Sequence, residues 1–124
     1  MSTLKTGTVQ NNTGTGAPLF KNNAGTEIGQ LAKAWVLFNG KNTVAIRDDF
    51  NVESLTDNGT GDYTINFTTA MSSANYAVAG AIGDDGNATA VPENFATSSV
   101  GLQAKYGSSS FADYAYTSVI IFGA

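Results

Sequence analysis

Residues 57–82 read DNGTGDYTINFTTAMSSANYAVAGAI, and their spacing decides the fold. Tyr63, Ile65 and Phe67 alternate with Thr64, Asn66 and Thr68. After a break, Tyr76, Val78, Gly80 and Ile82 alternate with Asn75, Ala77, Ala79 and Ala81. Successive side chains of a strand point to opposite faces, so a period of two marks a strand with one buried face. The alternation returns at Val100, Leu102, Ala104 and Tyr106.

Outward from this stretch, AWVLFNG (34–40) reads as a strand that is apolar on both faces and ends at Asn39-Gly40, a dipeptide suited to a tight turn; KNTVAIRDDF resumes as its partner. Val52 and Leu55 lead into DNGTGD, a six-residue connection in which Asn58-Gly59 can supply positive φ angles. GDDGNATAVPENFATSS is the longest irregular stretch, and Pro92 argues against a central strand there. The chain closes on Val119, Ile120, Ile121 and Phe122 with no polar tail, which predicts a strand inserted in a sheet with both faces covered. Ile28, Leu31, Ala32 and Trp35 have helical spacing, which admits one or two helical turns. Six or seven strands so spaced predict an all-β fold, a β-sandwich over residues 31–124.

Composition agrees. Only 13% of the residues are charged, and Gly, Thr, Ser and Asn supply most of the polarity. Such residues favour turns and strands over helices. At 124 residues the chain has room for one core. Residues 1–30 hold too few apolar side chains for a core of their own and read as an extended N-terminal arm. Within it NNTGTG at Asn11 and NNAGTE at Asn22 look like two copies of one turn, separated by APLF.

Ten acidic and six basic residues give a net charge of −4 with no Lys/Arg cluster, so nucleic acid is not expected as a partner. No apolar run approaches the roughly 18 residues of a membrane span, and no leader pattern opens the chain; neither membrane insertion nor export is expected. Cysteine and histidine are absent, which excludes thiolate and imidazole chemistry. Asp48, Asp49, Asp57, Asp62, Asp84, Asp85 and Glu93 could form a carboxylate pair, yet most sit beside Gly or Asn in expected turns, where Asp is favoured for local hydrogen bonds. DNGTGD and DDGN lack the ligand spacing of an EF-hand loop, and no cofactor or metal site is expected. The sequons at Asn11, Asn58, Asn66 and Asn87 are read as products of an Asn/Thr-rich composition.

Candidate binding residues therefore lie in loops. Asp84, Asp85, Asn87, Asn94 and Phe95 belong to the long irregular stretch, and Tyr106 and Phe111 flank GSSS. An aromatic face there could stack on a sugar ring or fill an interface pocket. Trp35 reads as a core or subunit-interface anchor, and Leu19 and Phe20 as contacts of the arm.

The segment Ala34–Ala81 resembles a module at the C-terminal end of bacteriophage tail-fibre proteins and related virion proteins, many from phages of cyanobacteria and marine bacteria. The marks are the AWV.F.G opening, VAIRD.FNV, DNGTGDYT..F and NYAV.G. The resemblance implies a homotrimeric, mainly β virion component on the particle surface, non-enzymatic and often involved in host binding. The arm would attach it to other virion proteins, and a host-surface glycan or protein would be the external partner. Most tail fibres have long shaft regions and this chain has none, so a short fibre, a fibre tip or a capsid or tail decoration protein are the alternatives the resemblance leaves.

Overall fold

The computed structural model describes residues 2–11 and 18–123. Among them it contains no helix and eleven strands: β1 (Phe20–Lys21), β2 (Glu27–Gly29), β3 (Ala34–Asn39), β4 (Ala45–Phe50), β5 (Val52–Gly59), β6 (Asp62–Phe67), β7 (Tyr76–Ile82), β8 (Ala88–Glu93), β9 (Ser99–Tyr106), β10 (Ser110–Phe111) and β11 (Thr117–Gly123). The chain divides into two compact units, Met1–Leu31 and Ala32–Ala124.

In the first unit β1 and β2 form a small antiparallel hairpin, with Phe20 opposite Gly29. Asn22 Oδ1 accepts from the backbone N–H groups of Ala24 and Thr26, both at 3.0 Å, so the NNAGTE turn is built by an Asn side chain. Of its expected twin, NNTGTG, only Asn11 falls within the described residues; the Asn11 sequon and Ala17 of APLF also reach outside them. The helical spacing from Ile28 to Trp35 is not realised. Glu27–Gly29 is extended and Trp35 lies in β3, because a four-residue match broken by Gly29 cannot meet the cost of nucleating a helix.

The second unit is a sandwich. One sheet has the order β4-β3-β11-β7; in the other β5, β6 and β9 are neighbours, and β9 also pairs with β8 and β10. Ala104 N–H donates to the Gly61 carbonyl (2.7 Å) and the Ala104 carbonyl accepts from Ala112 N–H (3.1 Å), so β10 continues along the β9 edge where β6 turns away. Ala34, Val36, Phe38, Val119 and Ile121 from the first sheet meet Tyr63, Ile65, Phe67, Val100, Leu102 and Ala104 from the second in one core. The Phe38 and Tyr63 rings touch edge to face, 5.0 Å apart at 71°. The period-two runs thus bury Tyr63, Ile65, Phe67, Tyr76, Val100, Leu102 and Ala104, whereas Val78 and Ile82 are half-buried and Tyr106, the last of its run, is 53% exposed.

Several local expectations change. The second hairpin turns on Thr60-Gly61 alone, with Gly59 opposite Asp62 and a register shift at Asp57/Gly59; Asn58 belongs to the strand. Residues 88–93, read as irregular, form β8. Pro92 is tolerated there because β8 pairs with β9 alone and is an edge. β11 does lie between β3 and β7, but within this unit only one of its faces is covered. Ile120 and Phe122 remain 44% and 42% exposed, because the second sheet packs on the opposite side.

Two polar devices fix the sheets together. Asn51, the one residue between β4 and β5, takes a φ of 57° and turns the chain from one sheet into the other. Its side chain accepts from Thr69 N–H (2.7 Å) and donates to the Lys33 and Thr69 carbonyls (3.1 Å each). Asn tolerates this left-handed conformation better than most side chains. At the other end, Asp113 Oδ1 accepts from the Tyr63 hydroxyl (2.6 Å) and from Gly61 N–H (2.7 Å). Gly61 has a φ of 65°, and a Cβ there would fall 2.7 Å from the Ala112 nitrogen, so only glycine fits.

Burial of Tyr63, then its hydrogen bond to Asp113 and the charges of Asp113 and Asp57, raise its phenol pKa above the ordinary 10.0, against a smaller lowering by the Gly61 backbone. The folded chain keeps a proton that the unfolded chain releases above pH 10, so this stability is complete below pH 10 and declines as pH rises beyond it. Tyr63→Phe is expected to cost about 1–3 kcal/mol at neutral pH, since Asp113 loses a donor, and to flatten part of the alkaline decline. Denaturant titrations of both proteins from neutral pH to above pH 10 measure this; equal slopes would contradict it.

Candidate functional site

The seven loop candidates do not converge. Asp85, Asn87 and Tyr106 meet at one end of the sandwich, where Asn87 N–H donates to Asp85 Oδ1 (2.9 Å), the Asn87 amide to the Tyr106 hydroxyl (3.4 Å) and Gly107 N–H to the Asn87 carbonyl (2.8 Å). Asp84 beside them is exposed, with a φ of 66°. Asn94 and Phe95 lie beyond the far end of β8, a six-residue strand. Six residues span about 20 Å, too far for both groups to grip one small ligand. Phe95 instead leans on Tyr76 (5.3 Å between centroids), whose hydroxyl lies 2.8 Å from the Ala96 carbonyl and 3.0 Å from that of Ser99. Burial raises the Tyr76 phenol pKa above its ordinary value.

Beneath the Asp85 end is Tyr114, 7% exposed, its hydroxyl without a hydrogen-bond partner among the described residues. Burial first, then the Asp85 charge and Tyr106, raise its pKa. Arg47 braces the neighbouring link: its guanidinium donates twice to the Ala115 carbonyl (3.2 and 3.1 Å) and covers the Tyr116 ring at 4.5 Å.

The outer faces of the two sheets differ in kind. On the β4-β3-β11-β7 sheet, register aligns Phe50, Trp35, Ile120 and Ala79 in one row, flanked on one side by Asp48, Leu37, Ser118 and Ala81 and on the other by Phe122 and Ala77. Trp35 is therefore half-buried on the outside of the sandwich and is no part of its core; Phe50 is 54% exposed. Asp48 is the one charged side chain in these rows. The sequence reading missed Phe50, Ile120 and Phe122 as surface groups, because their composition suits a strand covered on both sides.

The other sheet shows a ladder of amides and hydroxyls outside. Asn66 Nδ2 donates to Ser54 Oγ (3.1 Å) and Thr56 Oγ1 (3.0 Å), Asn58 Nδ2 to Thr64 Oγ1 (3.0 Å) and Asp62 Oδ1 (3.4 Å), and Gln103 to Glu93. The ladder ends at a shallow depression of about 270 Å³ lined by Asn58, Gly59, Thr60, Asp62 and Phe111. Asp62 pairs with Gln103 and Phe111 with Lys105, two positions along β9, so both side chains share this face. Lys105 Nζ stands 5.1 Å from the Phe111 ring centroid. Phe111 is thus separated from Asp84, Asp85 and Asn87 and joined to residues that sequence reading had assigned to turn geometry alone. Only the strand register could have revealed that juxtaposition.

In the arm, Phe20 starts β1 and Leu19 precedes it; they are 44% and 63% exposed. Among the described residues no group of three or more His, Cys, Asp or Glu side chains is placed to hold a metal ion, and no helix is long and apolar enough to cross a membrane. Comparison of the chain with protein-family models, curated proteins and solved structures returned no match.

The positive φ of Asp84 marks it as a geometric rather than a chemical member of its loop. Asp84→Gly is expected to leave stability unchanged or raise it by up to about 1 kcal/mol, whereas Asp84→Val is expected to lower it by about 1–2 kcal/mol. Thermal melts of the two variants measure the difference; a Gly variant less stable than the Val variant would show that the carboxylate itself is needed.

Proposed function

We propose that the protein is a non-enzymatic structural component of a bacteriophage virion, of the short tail-fibre or fibre-tip type, acting in host-surface recognition as a homotrimer. The observation that carries this reading is the apolar outer face of the β4-β3-β11-β7 sheet, taken with the resemblance of Ala34–Ala81 to tail-fibre modules. An apolar patch of a few hundred Å² on a soluble protein often serves as a contact surface, and this one gathers Trp35, Leu37, Phe50, Ile120 and Phe122. A second copy of the chain suits this face on electrostatic grounds. Each copy carries a net charge of −4, so copies repel wherever carboxylates meet, and these rows contain a single carboxylate.

The face measures on the order of 300–400 Å², from four strands about 4.8 Å apart and about 3.4 Å per residue. A stable interface buries about 800 Å² per partner. Each chain must therefore use more than this patch, as a ring of three does when every subunit gives one surface and receives another. The arm, with Leu19, Phe20 and Ile28 exposed, is left to bind other virion proteins, and the polar sheet and loops face the host.

Light scattering of the purified chain is expected to give the mass of three copies. Ile120→Lys, on an exposed position of the face, is expected to give single chains with an unchanged circular dichroism spectrum. Fluorescently labelled wild-type protein is expected to stain a subset of a panel of bacterial strains. A monomeric wild type, or protein that imaging of particles finds at every symmetry-related capsid position and that stains no strain, would sink the fibre reading.

A further inference from the structure

We propose that the depression between the β5–β6 turn and Phe111 binds one neutral pyranose ring. The inference rests on the host-facing role proposed above and names the chemistry that the polar sheet would recognise. A pyranose offers an apolar C–H face surrounded by hydroxyls, so its receptor needs an aromatic surface beside uncommitted acceptors and donors. The depression holds both. Phe111 is 46% exposed, and Lys105 Nζ at 5.1 Å from its centroid steadies the ring.

Around it the polar atoms divide into committed and open ones. Asn58 Nδ2 is engaged by Thr64 Oγ1 (3.0 Å) and Asp62 Oδ1 (3.4 Å), which fixes the amide. Among the described residues, Asn58 Oδ1, Asp62 Oδ2 and the Thr60 hydroxyl have no protein partner. Two acceptors and one hydroxyl beside an aromatic ring can satisfy the hydroxyl rim of a sugar. The two-residue turn is tied down at Gly61, whose N–H donates to Asp113 Oδ1 (2.7 Å) and whose carbonyl accepts from Ala104 N–H (2.7 Å), which lowers the ordering cost of binding.

Size and charge narrow the ligand. The volume of about 270 Å³ lies below the roughly 300–1,000 Å³ of pockets for drug-sized molecules, so a single ring suffices to fill it. Asp62 disfavours phosphate and sugar acids, since Lys105, the nearby cation, is already placed over Phe111. A divalent cation is disfavoured too, since Asp62 is the one carboxylate of the lining and such sites gather several oxygen ligands. A single ring in an open site binds weakly, and three copies on one particle would multiply that affinity through avidity.

The test is a ¹⁵N–¹H correlation titration of the full chain with methyl α-glucopyranoside, methyl β-galactopyranoside and methyl α-mannopyranoside to roughly 100 mM, with galacturonic acid as comparator. Expected are saturable shifts of the Gly59, Thr60, Asp62 and Phe111 amides with at least one glycoside and none with the acid. Phe111→Ala is expected to weaken binding about tenfold, and Asp62→Asn, which retains the fold should the Phe111 variant not, is expected to do likewise. No saturable shift with any glycoside, shifts centred on Asp85, Asn87 and Tyr106, or undiminished binding by both variants would overturn the proposal. Cell staining separates the two readings. Equal staining by wild type and both variants removes the sugar site and keeps the host-facing role, whereas glycoside binding by a protein that stains no strain keeps the site and removes the role.

Discussion

One carboxylate holds the sandwich shut at its loop-bearing end. Asp113 lies in the link from β10 to β11 and accepts from Tyr63 in the middle of the core and from Gly61 in the β5–β6 turn. Because β10 belongs to one sheet and β11 to the other, these two bonds fix where the chain crosses between layers. The β3–β4 connection is drawn in as well. Gly40 N–H donates to the Tyr114 carbonyl (2.8 Å), and the Gly40 carbonyl lies 3.4 Å from the Tyr63 hydroxyl. A Cβ at Gly40 would approach Tyr63 Cζ to 2.9 Å, so the absence of a side chain there is what lets the phenol reach Asp113. Buried polar groups stabilise only when satisfied. Here the tyrosine oxygen, the carboxylate and the glycine N–H satisfy one another.

The opposite end is closed by different chemistry. Asn51 carries the crossing from β4 to β5, and Tyr76 reaches from β7 toward the carbonyls of the loop before β9 while its ring meets Phe67 at 6.1 Å. With both ends pinned by side chain to backbone bonds, the two outer faces are free of structural duty and can differ. That freedom explains how one sheet can be apolar outside and the other a hydroxyl and amide ladder without either compromising the core.

The buried halves of β6 and β9 were legible in the sequence, because alternation reports directly on a face in contact with another layer. Tyr63, Ile65 and Phe67 lie inside, as do Val100, Leu102 and Ala104. What alternation cannot report is the environment of the second face. Trp35, Ile120 and Phe122 look like core residues because a strand covered on both sides and a strand awaiting a partner have the same composition. Pro92 was read correctly as unfit for a central strand, yet that exclusion left room for an edge, and β8 took it. The depression at Phe111 depends on register between segments some fifty positions apart in the chain, and no local pattern encodes register of that range. The turn residues Thr60 and Asp62 were visible, but their company was not.

Edge chemistry gives the two faces a direction. β4 presents Arg47, Asp48 and Asp49 and has a register shift between Leu37 and Phe38. β5 presents Glu53 and Asp57, and β8 contains Pro92. Charge, irregular register and proline are the usual means of preventing an edge from pairing with another chain. β7 has none of them: its sequence is YAVAGAI, uncharged, and Ala77, Ala79 and Ala81 form the flat side of the apolar face. Large side chains on β4, β3 and β11 therefore stand beside a strip of small ones on β7, and a neighbouring copy that set its aromatics over that strip would find a complementary surface. The polar sheet has no comparable drive to associate, since its Asn, Thr and Ser side chains already bond to one another across the strands. An interface formed on the apolar side would leave that ladder, and the depression at its end, facing outward.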